Sequence, residues 1–444
     1  MPVVSIPAGA LYAHLGREYT DEEFDELCFR FGLELDEVTS EKDLVAREQG
    51  RDKAANCSSE KLFKVEVPAN RYDLLCPEGI TRALMIFNAS SELPHYRRLE
   101  VKNPISLTVR SATQSVRPFV VAAVLRNVVM DETRLNSLLD LQEKLHQTVC
   151  RKRSLAAIGA HDLDTIKPPF VYDARPPKQI RFIPLNKTES HTAEELVELY
   201  ASDSHLKSYL PLIQDKPLYP VIEDSCGTIL SMPPIINGEH SRVSAKTRNI
   251  FIDITATDLY KASVVLDTLV TMFSEYCEVP YTVEPVEVIQ HDGSRQLFPR
   301  LEYRNEVISV DFVNRLLGTH FSEAKISHLL HRMGLITTAI SSICSDYPNA
   351  DSNSVTPSGL LSVLIPPTRH DILHACDIVE DVAIAHGYDN IPEQLPTTYC
   401  IAQIQPVNRL SDMIRTSVAE AGFTEALSFS LLVFSSLRVA EIMA

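Results

Sequence analysis

Four carboxylates crowd into the stretch RHDILHACDIVEDVAIAHGYDNI (369–391): Asp371, Asp377, Glu380 and Asp381. A helix from about Ile372 to His386, stopped by Gly387, places Asp377, Glu380 and Asp381 at i, i+3 and i+4, on one face. Ile378, Val379, Val382 and Ala383 point away from that face and can pack. Like charges so spaced repel by roughly a few tenths of a kcal/mol per pair. A hard divalent cation removes that repulsion, and an all-oxygen ligand set suits Mg²⁺. Asp371 falls off this face, so it either approaches from the preceding loop or caps the helix. Two readings stand at this point: a capped, solvated acidic helix and a cation site.

A second constellation is NIFIDIT (249–255). As a strand it alternates. Ile250, Ile252 and Ile254 face a core, while Asn249, Phe251, Asp253 and Thr255 face the other way. A carboxylate and a hydroxyl two residues apart, beside an aromatic ring, can line a pocket for a polar aromatic ligand; the plainer reading is a strand with one wet face. A third is GAHDLDTI (159–166), where His161, Asp162 and Asp164 offer metal binding or acid–base chemistry, or simply a turn in a loop. GxGxxG, GxxxxGK[ST], HExxH and GxSxG are absent, so any nucleotide chemistry is assigned to another chain.

The elements that position these residues read from periodicity and breakers. YTDEEFDELCFRFGLELDEV has Thr20 as N-cap with Glu23 three residues on; Phe24, Leu27, Cys28 and Phe31 form a helical stripe, and Gly32 stops it. KLFKVEV (61–67) alternates as a strand. A second helix starts near Pro77, and the charged residues 40–60 read as an exposed loop. FVVAAVLRNVV (119–129) is a buried strand, and RLNSLLDLQEKLHQTVCRKR an amphipathic helix with a basic end that suits its dipole. PLYPVIEDSCGTILSMPPIING (217–238) reads as strand, turn at Ser225–Gly227, strand; RNIFIDITATD is a further strand and 260–277 a helix. From 300 to 392, two short helices, a turn-rich insert (346–360), the strand LSVLIPP and the acidic helix form a small module. NRLSDMIRTSVAEAGFTEALSFSLL begins another helix and strand.

At 444 residues the chain has room for about three domains. A net charge of −17 opposes nucleic-acid binding by the chain as a whole; CRKR (150–153) is the local basic exception. Nine scattered cysteines without CxxC point to reduced thiols rather than a zinc ribbon or disulfide framework. There is no apolar run long enough for a membrane span and no convincing signal peptide.

Eight collinear segments carry a resemblance: YTDEEFDELCFRFGLELDE, VPANRYDLLCPEGITRAL, LQEKLHQTVCRKR, AIGAHDLDTI, KPLYPVI, LSMPPIING, TRNIFI and PPTRHDILHACDIVEDVAIAHGYDNI. Together they resemble the beta subunit of phenylalanyl-tRNA synthetase, eukaryotic cytosolic and archaeal type, over about residues 1–431. The resemblance implies a multidomain α+β chain. Its parts are an N-terminal α/β, B1-like domain (1–95), a mixed B3/B4-like editing domain (115–295) and a small winged-helix-like B5 domain (303–392). The start of an incomplete catalytic-like domain follows (400–444). It further implies a cytoplasmic α₂β₂ ligase with the alpha subunit and tRNA(Phe) as partners, using ATP and Mg²⁺, with no aminoacylation site in this chain. The implied magnesium ligands fall on Asp371, Asp377, Glu380 and Asp381. The implied editing pocket, against tyrosine wrongly joined to the tRNA, falls on Asp253 and Thr255, with His161 and the Ser231–Pro234 turn at its border. The tail LLVFSSLRVAEIMA does not continue the family pattern, which leaves a free-standing editing hydrolase or a non-enzymatic interaction fragment as alternative readings.

Overall fold

Strand β1 (Val3–Pro7) leads into helix α1 (Ala8–Leu15), and Thr20 then starts α2 (Asp21–Phe31). In the computed structural model, which describes residues 2–49, 58–340, 359–395, 398 and 402–427, the Thr20 hydroxyl accepts from the Glu23 N–H at 3.2 Å. The Glu23 carboxylate accepts the Thr20 N–H at 3.1 Å, so the expected capping box forms. Gly32 ends the helix at φ 86°, a conformation that favours glycine. Strands β2 (Glu34–Ser40) and β3 (Lys61–Glu66) complete a sheet in the order β1-β3-β2. The loop expected at 40–60 is corrected: Glu41–Gln49 is helix α3. The Ser40 hydroxyl accepts the Asp43 N–H at 3.2 Å, a cap that the charged composition hides. Helix α4 (Pro77–Phe87) closes this part, with Pro at its first turn.

The central part is built on one large sheet. Its strands are β4 (Arg97–Arg98), β5 (Ile105–Val109), β6 (Phe119–Leu125), β7 (Ala156–Asp162), β8 (Phe170–Arg175), β11 (Tyr219–Glu223), β12 (Ile229–Met232), β13 (Ile236–Asn237), β14 (Ile250–Ala256), β15 (Thr282–Ile289) and β16 (Arg295–Phe298). The short pair β9 (Arg181–Phe182) and β10 (His191–Thr192) stands apart. The main path runs β13-β12-β11-β8-β5-β15-β6-β14-β7, with β4 and β16 on β15. Helices α5 (Glu132–Gln147), α6 (Ala193–Tyr200) and α7 (Leu259–Phe273) accompany it. α5 stops before CRKR. Arg151, Lys152 and Arg153 all take positive φ, 45–62°, so the basic cluster is a turn rather than a helix end. The loop expected at 159–166 is also corrected: Gly159 to Asp162 belong to β7, and only Leu163–Thr165 turn, where the Asp162 side chain accepts the Asp164 N–H. β14 is buried at all seven positions, so neither of its faces is wet.

Within α7, Asp267 is 6% exposed. Burial pushes its carboxyl up from the ordinary 3.8 to about 7. A folded value above the unfolded one means stability present below about pH 4 and lost as pH rises through about 7, by roughly 4 kcal/mol. Asp267→Asn is expected to flatten the chain's stability profile over that window, as denaturant melts at pH 4, 6 and 8 will show; an unchanged slope contradicts the assignment.

The last part of this unit combines β17 (Arg304–Ser309), α8 (Val310–Leu317), α9 (Glu323–Arg332), β18 (Ile336–Ile340), β19 (Leu360–Ile365) and α10 (Ala375–His386), with sheet order β17-β19-β18. Most of the insert expected at 346–360 lies outside the described residues. α10 starts three residues later than the spacing predicts, because the Asp377 carboxylate accepts the N–H groups of Leu373 and His374 at 2.8 Å each. Residues 1–392 form one compact unit and 393–444 a second. The second contains the expected helix, α11 (Pro406–Glu420); the expected strand after it and the tail fall outside the described residues. The six described cysteines are free, and no helix among the described residues is long and apolar enough to cross a membrane.

Candidate functional site

β14 lies between β6 and β7, and the register places Asp253 opposite Ala122 on one side and Gly159 on the other. Strand alternation puts Phe251, Asp253 and Thr255 on one face with Ala157, Gly159 and His161 of β7. On that face opens a cavity of about 930 Å³, lined by Gly159, Ser231, Pro233, Pro234, Asn237 and Asp253 among others. Asp253 is 1% exposed, yet no protein hydrogen bond reaches either of its carboxylate oxygens. Its polar neighbour is His161, whose Nε2 stands 3.0 Å from Asp253 Oδ1. That approach is too poorly aligned to satisfy either atom. A buried carboxylate left without donors costs several kcal/mol, and at a cavity wall such a group has room to accept a donor from outside the chain.

Gly159 keeps that wall open. A Cβ there would lie 2.5 Å from Asp253 Oδ1 and 2.9 Å from His161 Nε2, closer than real contacts allow. Gly159→Ala is expected to destabilise the chain by about 1–3 kcal/mol through overpacking and to close the approach to Asp253. Thermal melts check the first effect; a variant as stable as the parent contradicts the tight contact.

Of the other expected pocket residues, Ser231 lines the cavity with an unpartnered hydroxyl. Pro233 and Pro234 line it as well. Thr255 is fully buried and unpartnered but does not reach the cavity wall, and His161 sits behind Asp253 rather than at the border. Sequence reasoning missed Gly159 and Arg153. The Arg153 guanidinium donates to the Pro234 and Ile235 carbonyls at 3.2 and 3.0 Å and lies over the Tyr209 ring at 4.2 Å, pinning the turn that closes the cavity. A glycine within an apolar strand run was the available signal for Gly159; the basic run CRKR marked Arg153 as a charge, but not as a partner of the Pro234 and Ile235 carbonyls.

The four acidic residues do come together. Asp371, Asp377, Glu380 and Asp381 face one cavity of about 460 Å³, shared with Arg71 and Arg369. As expected, Asp371 arrives from the loop before α10. Arg369, 4% exposed, donates from Nε and one terminal nitrogen to Asp371 at 2.8–3.2 Å, and from the same terminal nitrogen to both oxygens of Asp381 at 3.0 and 2.8 Å. Its remaining terminal nitrogen donates to the Met333 carbonyl at 3.1 Å. Arg71 makes a parallel pair with Asp73 at 2.8–2.9 Å. Burial pushes the Asp381 carboxyl up to about 6 even against Arg369; at Asp371 burial is outweighed by the guanidinium, which holds it below the usual carboxylate range. Tested as a magnesium site, the set does not fit: two of its four members already share a buried cation, and a third caps α10. Among the described residues no group of three or more His, Cys, Asp or Glu is placed to hold a metal ion.

Comparison with known proteins places these features. The chain matches the model of the Phe-tRNA synthetase beta subunit B1 domain over residues 1–90, the B3/4 domain over 114–278 and the tRNA synthetase B5 domain over 307–388. A crystal structure of an N-terminal fragment of the phenylalanyl-tRNA synthetase beta subunit from Pyrococcus horikoshii superposes with a TM-score of 0.73 at 31% identity, covering 87% of this chain and all of that fragment. The phenylalanine–tRNA ligase beta subunit of Mus musculus is 52% identical over 432 residues, 97% of this chain and 71% of the relative. That of Saccharomyces cerevisiae is 43% identical over 437 residues, 97% and 69% respectively. The chain belongs to the phenylalanine–tRNA ligase beta-subunit family. Its relatives are components of a class II aminoacyl-tRNA synthetase. In this beta-subunit chain the B3/4 match contains β6, β7, β14 and the cavity at Asp253, and the B5 match contains Arg369 and the acidic helix.

Proposed function

We propose that this chain supports the charging of tRNA with phenylalanine as a beta subunit, and that its Asp253 cavity hydrolyses tRNA wrongly charged with tyrosine. The observation that carries the second part is the buried Asp253 carboxylate, unsatisfied by the protein and set in the wall of the 930 Å³ cavity. Phenylalanine and tyrosine differ by one hydroxyl. An apolar synthetic pocket rejects an added hydroxyl only weakly, whereas a site that hydrogen-bonds the hydroxyl discriminates strongly because its own polar group is otherwise left unpaired. Asp253 accepts the phenolic O–H, the Ser231 hydroxyl supplies a further polar contact, and buried Thr255 backs the wall. Water then adds to the ester carbonyl, the bond to the terminal ribose oxygen breaks, and tyrosine leaves as a carboxylate while the ribose regains its hydroxyl. Asp253 acts here in recognition; backbone and tRNA groups position the water.

In this reading ATP and Mg²⁺ serve the aminoacylation site of an alpha subunit in a cytoplasmic α₂β₂ assembly, and no step passes through Asp371, Asp377, Glu380 or Asp381. The exposed Arg151 and Lys152 adjoin Arg153, which lines the cavity, and offer the acidic chain a local basic edge for the tRNA phosphates. The test is to incubate the chain with tRNA(Phe) carrying tyrosine or phenylalanine. Release of tyrosine well above that of phenylalanine is expected, and equal rates overturn the editing assignment. Co-expression with an alpha subunit, followed by mass determination, is expected to yield a heterotetramer; a lone monomer would overturn the charging role.

A further inference from the structure

Behind Asp253 lies a chain of buried polar groups that the editing reading does not use. His161 Nδ1 stands 2.7 Å from the Ser241 hydroxyl and His161 Nε2 stands 3.0 Å from Asp253 Oδ1. His161 is 0% exposed, and Ser241 and Asp253 are 1% exposed. The ring lies 6.3 Å from Phe251, centroid to centroid and tilted by 32°, and Phe251 packs against Phe170 at 4.3 Å. At 3.0 Å two bare lone pairs would repel, so Nε2 carries the proton toward the carboxylate. A neutral ring then has Nδ1 bare, and the Ser241 O–H donates to it.

Resting on the editing reading above, we infer that His161 is a positioning residue whose tautomer Ser241 sets, and that this pair sets the orientation of Asp253 in the cavity wall as the acceptor for the phenolic hydroxyl. The physical need is specific. No aligned protein donor restrains the Asp253 carboxylate, and the residue beside it, Gly159, has no side chain to confine its rotation. A carboxylate that turned away would lose the preference for a hydroxyl over a hydrogen. The Nε2–H, 3.0 Å from Oδ1 though poorly aligned for a hydrogen bond, is the group placed to oppose that turn. His161 does not touch the cavity, so its effect passes through Asp253.

The test compares deacylation of tyrosyl- and phenylalanyl-tRNA(Phe) by the full chain and by His161→Leu, His161→Gln, Ser241→Ala and Asp253→Ala. His161→Leu is expected to lower kcat/KM for tyrosyl-tRNA about 10- to 100-fold, as losses of supporting partners do. The change should sit mainly in KM, and the slow phenylalanyl background should be unaffected. The glutamine amide can present an N–H where Nε2 stood, so His161→Gln is expected to recover most of the tyrosine preference, and Ser241→Ala to fall between. If His161→Leu fails to fold, Ser241→Ala, which removes a single hydroxyl, decides. A full tyrosine preference in a folded His161→Leu or in Ser241→Ala, beside its loss in Asp253→Ala, overturns this inference and leaves the editing reading intact. Full activity in Asp253→Ala overturns the editing reading itself.

Discussion

Arg369→Met is expected to destabilise the chain by about 3–5 kcal/mol at pH 8, because it strands two buried carboxylates that share one guanidinium. Arg369 is 4% exposed and its two partners' side chains are 7% and 4% exposed, so solvent screening cannot absorb the loss as it does at a surface pair. The effect should spread beyond the acidic helix. Arg71 of the N-terminal part lines the same cavity, and against burial, which raises it, the Asp371 carboxyl is held down by Arg369 and by Arg71 as well. Nearby, Arg332 of α9 donates to the Phe87 carbonyl of α4 and the Ala385 carbonyl of α10 at 2.9 and 2.7 Å. The B1 and B5 matches therefore meet through cationic side chains. In urea melts the parent chain is expected to respond little to EDTA or added magnesium, while Arg369→Met, with its carboxylates vacated, regains part of its stability with magnesium. A parent chain that loses several kcal/mol on chelation contradicts the assignment of Arg369 as the cluster's cation.

Asp253→Ala is expected to move activity and stability in opposite directions. Removing the hydroxyl acceptor should lower the rate of tyrosyl-tRNA deacylation by about 100-fold or more, the scale at which a hydrogen-bonding site distinguishes substrates that differ by one hydroxyl. Removing a buried carboxylate with no protein donor should at the same time leave the melting temperature unchanged or raise it, by roughly 1–3 kcal/mol in stability terms. Parallel melting and deacylation assays check both. A variant that loses activity only because it unfolds would show Asp253 to be a structural group.

Local signals in the sequence carried far, and their failures have physical causes. Thr20, Glu23 and Gly32 bounded α2 because capping is a short-range interaction between residues named in the sequence. The alternation in NIFIDIT correctly separated the isoleucine face from the Asp253 face. It could not say that the second face was also buried, since that depends on β6 and β7 flanking β14 and on the Ser231–Ser241 segment lying over it. His161 was assigned to a loop because the neighbouring aspartates signal a turn; that turn exists, but begins only at Leu163. Ser241 and Arg153 act across 80 or more residues, where no single-sequence period reaches. Arg369 lay in plain view two residues before Asp371. Its pairing with Asp371 and Asp381 depends on how the loop before α10 folds, which helical spacing does not describe.

The most direct measurement is the affinity of the chain for two non-hydrolysable adenosine esters' analogues, amide-linked 3′-tyrosyl- and 3′-phenylalanyl-adenosine, by calorimetric titration. It isolates recognition from water attack and from tRNA docking. If Asp253 reads the phenolic hydroxyl, the tyrosyl compound binds at least about tenfold tighter, the worth of one hydrogen bond to a charged group, and Asp253→Ala erases the difference. Equal binding of the two compounds by the parent chain would contradict the account.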